Sequence, residues 1–195
     1  MSDLIKIPMF PLSIFPLPGE MVPLHIFEPR YRQLLDDAEK RDIQFGIYFN
    51  HILNADKVGS LVKLESIIKR YPSGESDIIV KCFDLFTMAT LFRTFKDKIY
   101  PGGEVTLLNV DLLSSASSKL QEMYAKYSLL MNISHSAKSP SLYHIANELN
   151  MDFDGKLKFV STEEDRKEGY LLTQLNYQLQ LLQQAEKSKD VFHLN

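Results

Sequence analysis

His25, Glu28 and Arg30 stand close together in Pro23-Leu24-His25-Ile26-Phe27-Glu28-Pro29-Arg30-Tyr31-Arg32, bringing an imidazole, a carboxylate and a guanidinium into one short segment. Such groups could move a proton if a reacting group lay within hydrogen-bond reach, but the chain shows no nucleophile triad and no paired carboxylates beside them. His25 therefore reads as a hydrogen-bonded structural histidine. Glu28 reads as a cap or a favourable charge at a helix start, and Arg30 as the partner of a carboxylate. Ser117-Ser118-Lys119 sets hydroxyls beside an amine. Neighbouring residues entering a helix diverge, and nothing near them suggests an oxyanion site, so a serine-rich linker is expected there. His25, His51, His135, His144 and His193 show neither an H-E-x-x-H spacing nor paired cysteines, and Cys82 alone cannot build a thiolate zinc site. No metal or other cofactor is predicted. Cys82, within an apolar strand, reads as a small core residue. No G-x-x-x-x-G-K-[ST] loop is present, and Gly102-Gly103 lacks the Lys-Ser/Thr that a phosphate cradle needs. The expectation is a protein that is not an enzyme.

The elements holding these residues fall into two regions, 1–113 and 116–195, with the boundary at Ser114-Ser115-Ala116-Ser117-Ser118. In the first, Leu4–Ile7, Met21–Ile26 and Ile43–Phe49 read as strands. Pro29 is suited to the first turn of a helix. Tyr31, Leu34, Leu35 and Ala38 then form one apolar stripe, leaving Arg32, Asp36, Asp37 and Lys40 for solvent. Ser60–Arg70 and Asp77–Phe86 flank a turn at Pro72-Ser73-Gly74-Glu75 and predict a long hairpin, with Val105–Val110 as a closing strand. Short turns and one inserted helix predict a small antiparallel β-barrel, since closure removes exposed edges. In the second region Leu120, Met123, Tyr124, Tyr127 and Met131 share a helical face, as do Leu142, Ile145, Ala146 and Leu149, and then Leu171, Leu175, Leu179 and Leu182. Ser161 and Glu164 have capping-box spacing, and Gly169 predicts a bend or break in the last helix. The fold class is α+β.

The 195 residues are 45% hydrophobic and 24% charged, as in an ordinary globular chain, with net charge -3 and interspersed acids and bases. That balance argues against nucleic acid and against a polybasic membrane contact. No apolar run approaches the ~18 residues of a membrane span, and the N-terminus lacks a signal-peptide pattern. A cytoplasmic protein is expected.

Phe10-Pro11-Leu12, then Pro23–Tyr31, then Val58-Gly59, and finally Ser73-Gly74 occur in an order that resembles the N-terminal, substrate-recognition domain of Lon proteases over nearly the whole chain. The resemblance implies a PUA-like β-barrel with one inserted helix followed by a C-terminal α-helical bundle. It departs in one strand, where Cys82 and Leu85 stand in place of the glycine and arginine of a G-x-x-R-F pattern, which puts the local barrel geometry in question. The chain ends at Asn195 without the ATPase and serine–lysine peptidase of a full Lon protease. The expectation is thus a stand-alone, non-catalytic module binding unfolded or exposed hydrophobic polypeptide segments, an adaptor or client sensor in proteolysis, with a protease or other protein as partner and oligomerisation open. Phe10, Ile14, Phe15, Leu17 and Met21 lie among three prolines in a segment more apolar than a loop normally shows to water. With Tyr31 and Leu35 they form the expected polypeptide-binding lip. The alternative readings are a loop sealing the barrel end and, from another class, RNA binding through the barrel by Lys63, Lys69, Arg70, Lys81, Arg93 and Lys96.

Overall fold

A computed structural model describes residues 3–133 and 139–192. The chain divides into two compact units, Met1–Asp111 and Leu112–Asn195. In the first, the order is β1 (Ile5–Pro11), β2 (Met21–Ile26), α1 (Pro29–Arg41), β3 (Gln44–Tyr48), β4 (Val58–Arg70), β5 (Ser76–Phe92) and β6 (Gly102–Leu107). The strands lie in the order β2-β5-β4-β3-β1-β6, and β6 returns to pair with β5. This closure depends on the length of β5. Its first part, Ser76 to Lys81, pairs with β2, and its last part, Phe86 to Phe92, pairs with β6. Five strands therefore close a barrel, and β2 extends it as a flap.

All pairings are antiparallel except one. Met9, Phe10 and Pro11 of β1 lie beside Gly46, Ile47 and Tyr48 of β3 in parallel. The chain between these strands runs through β2 and α1, a crossover long enough to bring β3 back in the same direction. The closing strand begins and ends earlier than the expected Val105–Val110 because Asp84 intervenes. Its carboxylate accepts from the Asn109 and Val110 N–H groups at 3.2 and 3.1 Å. Asn109 takes a left-handed φ of 52°, which turns the chain off the sheet.

The strand that lacks the expected glycine still bulges. Asp84 is opposite Leu61 and Cys82 opposite Val62, so Phe83 is the extra residue. Leu85 and Cys82 are buried, as is Phe86, around which Ile7, Met9, Tyr48, Leu61, Met88 and Val105 pack. The barrel thus accommodates apolar side chains at both departing positions.

α1 buries Tyr31, Leu34, Leu35 and Ala38 as its spacing requires, and Asp37 joins them at 7% exposure. Asp37 was expected at the surface. Long-range partners that no helical spacing reveals cover it: Tyr100 Oη donates to its Oδ2 at 2.8 Å, Lys98 Nζ lies 3.0 Å away, and Arg41 Nε lies at 3.7 Å. Arg32 on the same helix donates to the Ser73 carbonyl at 2.9 Å and so holds the β4–β5 turn. At Gly74, φ is +90° and an added Cβ would sit 2.6 Å from Arg32 Nη1, so that turn requires glycine.

The second unit holds α2 (Ser118–Leu130), α3 (Leu142–Glu148), α4 (Phe153–Ser161) and α5 (Glu164–Phe192). Ser117, Ser141 and Asp152 cap the first three, each side chain accepting a backbone N–H of the first turn. The Ser161–Glu164 capping box does not form: Ser161 is the last residue of α4, and Thr162 follows as its C-cap. α5 runs through Gly169 without a break, and a Cβ there would meet nothing within 4 Å. Gly169→Ala is expected to stabilise the protein by about 0.5–1 kcal/mol through the unfolded chain, read as a higher urea midpoint at unchanged slope. No described helix is long and apolar enough to cross a membrane.

Candidate functional site

The proline-rich segment from Pro11 to Glu20 is tied down at several points. Ser60 Oγ, buried on β4, donates to the Pro16 carbonyl at 2.6 Å. The Leu17 N–H donates to Glu20 Oε2 at 2.8 Å, and Gly19 and Glu20 exchange backbone bonds with Cys82. Phe15 and Leu17 are thereby buried, and Phe10 packs on Tyr31 with ring centroids 4.0 Å apart. Of the seven residues expected to form an exposed lip, Phe10, Phe15, Leu17, Tyr31 and Leu35 belong to the core. Ile14 is half-buried, and Met21 alone is open, at 57%. The correction has a simple physical cause. Apolar residues between prolines gain more by packing against β4 and β5 than by facing water.

What reaches the surface is a neighbouring set on the β2–β5 flap. Met21 lies opposite Lys81 and Pro23 opposite Ile79. Phe83, at 39% exposure, stands on the same side, and Lys81 Nζ lies 5.7 Å from the centre of its ring. Alternation explains the set: Ile78, Val80 and Cys82 face inward, and Ile79, Lys81 and Phe83 face outward. Met21, Pro23 and Phe83, with half-buried Ile79, form an exposed apolar surface bordered by the Lys81 ammonium.

β2 is also a sheet edge, with a ladder partner on one side only. The Cys82 N–H donates to the Glu20 carbonyl, so pairs alternate from there, and Val22, Leu24 and Ile26 turn their backbone groups toward β5. The free edge then carries the N–H groups of Met21 and His25 and the carbonyls of Met21, Pro23 and His25. Pro23 falls where its missing N–H costs no ladder bond, and it interrupts the row of donors on the open side.

At the end of this edge, His25 Nδ1 lies 2.6 Å from Asp77 Oδ1, and Tyr71 Oη donates to Asp77 Oδ2 at 2.6 Å. The Tyr71 hydrogen bond, followed by that of His25, holds the Asp77 carboxyl below the usual carboxylate range. These contacts clasp β2 to the start of β5. Glu28 makes no side-chain cap bond and instead accepts from Arg30 Nε at 2.9 Å. Ser117 is a helix cap and also donates to Glu168. Burial raises the Cys82 thiol far above its ordinary pKa, so it stays protonated and unreactive. Among the described residues no group of three or more His, Cys, Asp or Glu side chains could hold a metal ion. His135 and His193 lie outside the described residues. Pro23, Ile79 and Phe83 were missed as surface candidates; the usable signal was Pro23, since a proline inside a strand marks an edge.

The family model described as "ATP-dependent protease La (LON) substrate-binding domain" matches residues 6–163. Among solved structures, a Lon N-terminal domain protein from Xanthomonas campestris is similar with a TM-score of 0.67 at 19% identity, over 87% of this chain and 98% of that one. The N-terminal domain of Mycobacterium avium complex Lon protease is similar with a TM-score of 0.59 at 13% identity, over 92% of this chain and 98% of that one. No curated protein matches the sequence.

Proposed function

This chain belongs to the ATP-dependent protease La (LON) substrate-binding domain family, and on that premise we propose that it recognises exposed apolar segments of other polypeptides and serves as an adaptor or client sensor in proteolysis. The observation that carries the reading is the exposed Met21–Pro23–Phe83 surface beside the free edge of β2. An extended client laid along that edge would meet the carbonyls of Met21, Pro23 and His25 and the N–H groups of Met21 and His25. Its apolar side chains would cover Met21 and Phe83. Binding of this kind is weak per contact. Apolar burial yields about 25 cal/mol per Å², and the costs of association come off first. Weak binding suits a module that samples many clients and hands them on.

The test is the affinity for a short fluorescent peptide alternating Phe with Ser, unfolded and without charged side chains, read by fluorescence anisotropy. Met21→Ser with Phe83→Ser is expected to weaken binding by about tenfold, equivalent to ~1.4 kcal/mol, while the protein stays folded because neither side chain belongs to the buried core. Unchanged affinity in a folded double variant would remove this surface from the reading.

A further inference from the structure

Away from the β2–β5 surface, the first unit carries a cleft of about 390 Å³ between the start of β1, the junction of α1 with β3, and the loop joining β5 to β6. Ile7, Ile43, Phe95 and Tyr100 give it an apolar lining. Lys6, Arg41, Lys96 and Lys98 also line it, and Asp97 is the one acidic residue among the lining. In a chain of net charge -3 this concentration of cations is local.

The cleft is built rather than incidental. Asp37, buried behind it, takes hydrogen bonds from Tyr100 and Lys98 and lies near Arg41, so one carboxylate orients three of the lining residues. The Ile99 N–H donates to Gln33 Oε1 at 2.9 Å, and the loop closes on itself through Phe95 N–H to the Tyr100 carbonyl at 2.8 Å. Lys6 is 3.3 Å from Glu104. Lys96 differs from the other three. Among the described residues no carboxylate lies within salt-bridge distance of it, and its ammonium lies 5.2 Å from the centre of the Phe95 ring. It also takes a φ of 55°, a left-handed conformation that costs a long side chain free energy and persists where the surroundings impose it. The turn holds an uncompensated ammonium above an aromatic ring at the side of the cleft.

We propose that this cleft binds an acidic polypeptide segment in which a carboxylate neighbours an apolar or aromatic side chain, the side chain lying against Phe95 and Ile43 and the carboxylate meeting Lys96. The proposal rests on the reading of the chain as a polypeptide-recognition module and adds a second, electrostatic determinant to it. A nucleic-acid backbone fits less well, because it calls for several uncompensated cations, and Lys6, Arg41 and Lys98 already have Glu104 or Asp37 beside them. Lys96, the lining cation without a carboxylate beside it among the described residues, stands next to an apolar lining, which suits one carboxylate adjacent to an apolar side chain.

The probes are a short fluorescent peptide alternating Glu with Phe, its counterpart with Gln for each Glu, and a labelled single-stranded RNA, each titrated against the full chain. The Glu peptide is expected to bind about tenfold more tightly than the Gln peptide. Lys96→Glu should remove that preference. Lys96→Gly removes the ammonium while suiting the left-handed turn, so it should reduce the preference in a protein as stable as the original. Both variants should leave binding of the uncharged Phe–Ser peptide unchanged. Equal affinities for the two peptides would overturn the proposal, as would a preference indifferent to both substitutions, or RNA binding that is tighter than peptide binding and lost with Lys96. Such a failure is separable from failure of the polypeptide-recognition reading, which is decided by Met21 and Phe83 with an uncharged client.

Discussion

Phe86→Ala is expected to cost about 3–5 kcal/mol of stability, toward the upper end of what a buried phenylalanine contributes. Phe86 is fully buried in the barrel, and its ring lies directly over two glycines on adjacent strands. A Cβ at Gly46 would sit 2.9 Å from ring carbons of Phe86, and one at Gly59 would sit 2.3 Å away. Glycine there has no side chain that could move into the space left by the ring, so the cavity stays largely open. The same contact makes a second measurement possible. Gly59→Ala alone should destabilise by about 1–3 kcal/mol through overpacking, because the new methyl also meets the Ile47 carbonyl at 2.9 Å. In the Phe86→Ala background the part of that penalty due to the ring should disappear, leaving the contact with the Ile47 carbonyl. Urea denaturation of the two single variants and the double variant measures the coupling. Additive losses would mean that Phe86 does not occupy the space over Gly59.

Asp37→Ala is expected to cost roughly 3 kcal/mol, since it leaves Tyr100 and Lys98 without their shared acceptor in a largely buried place. Burial by itself would raise the Asp37 carboxyl, but hydrogen bonds from Tyr100 and Lys98, with the charges of Lys98 and Arg41, outweigh it and hold the group below the usual carboxylate range. A depressed folded-state pKa fixes the sign of the pH dependence. The stabilisation is fully present above the ordinary carboxylate pKa of about 3.9 and is lost as pH falls through the lower folded value. Asp37→Asn should therefore lower stability near neutrality and flatten the acid limb of a plot of stability against pH below about 4. Parallel acid limbs for wild type and variant would show that Asp37 is not held ionised by these partners. The same substitution loosens the loop from Phe95 to Tyr100, so it should also weaken binding of the Glu-bearing peptide at the cleft.

Much of the fold was legible in the order of residues because its signals are local. Pro29 and the Tyr31–Leu34–Leu35–Ala38 stripe give α1 its start and its buried face, and both depend on spacing within one helix. The turn at Pro72 to Glu75 announces the β4–β5 hairpin. Ser117 and Ser141 precede apolar stripes and cap them. Where the expectation failed in the first unit, the deciding partner was distant in sequence. Asp37 looks solvent-facing until Tyr100 and Lys98 arrive from the β5–β6 loop. The chain from Asn109 leaves the sheet because Asp84, on another strand, takes its N–H groups.

The candidate surface divides in the same way. Hydropathy marks Phe10, Phe15, Leu17 and Met21 as unusual for a loop, but composition carries no direction and cannot distinguish a lip from a plug. Ser60 and Cys82, from β4 and β5, hold that segment against the sheet, where Phe15 and Leu17 are buried. Residue order by itself determined the family, the two kinds of secondary structure and the registers of the helices, because motif order, capping and periodicity act over a few residues. Tertiary structure decided which apolar side chains face water, where β5 bulges at Phe83, and which cations gather around one cleft. Each of these depends on strand pairing and closure, and contacts between strands tens of residues apart leave no mark on the spacing within either one.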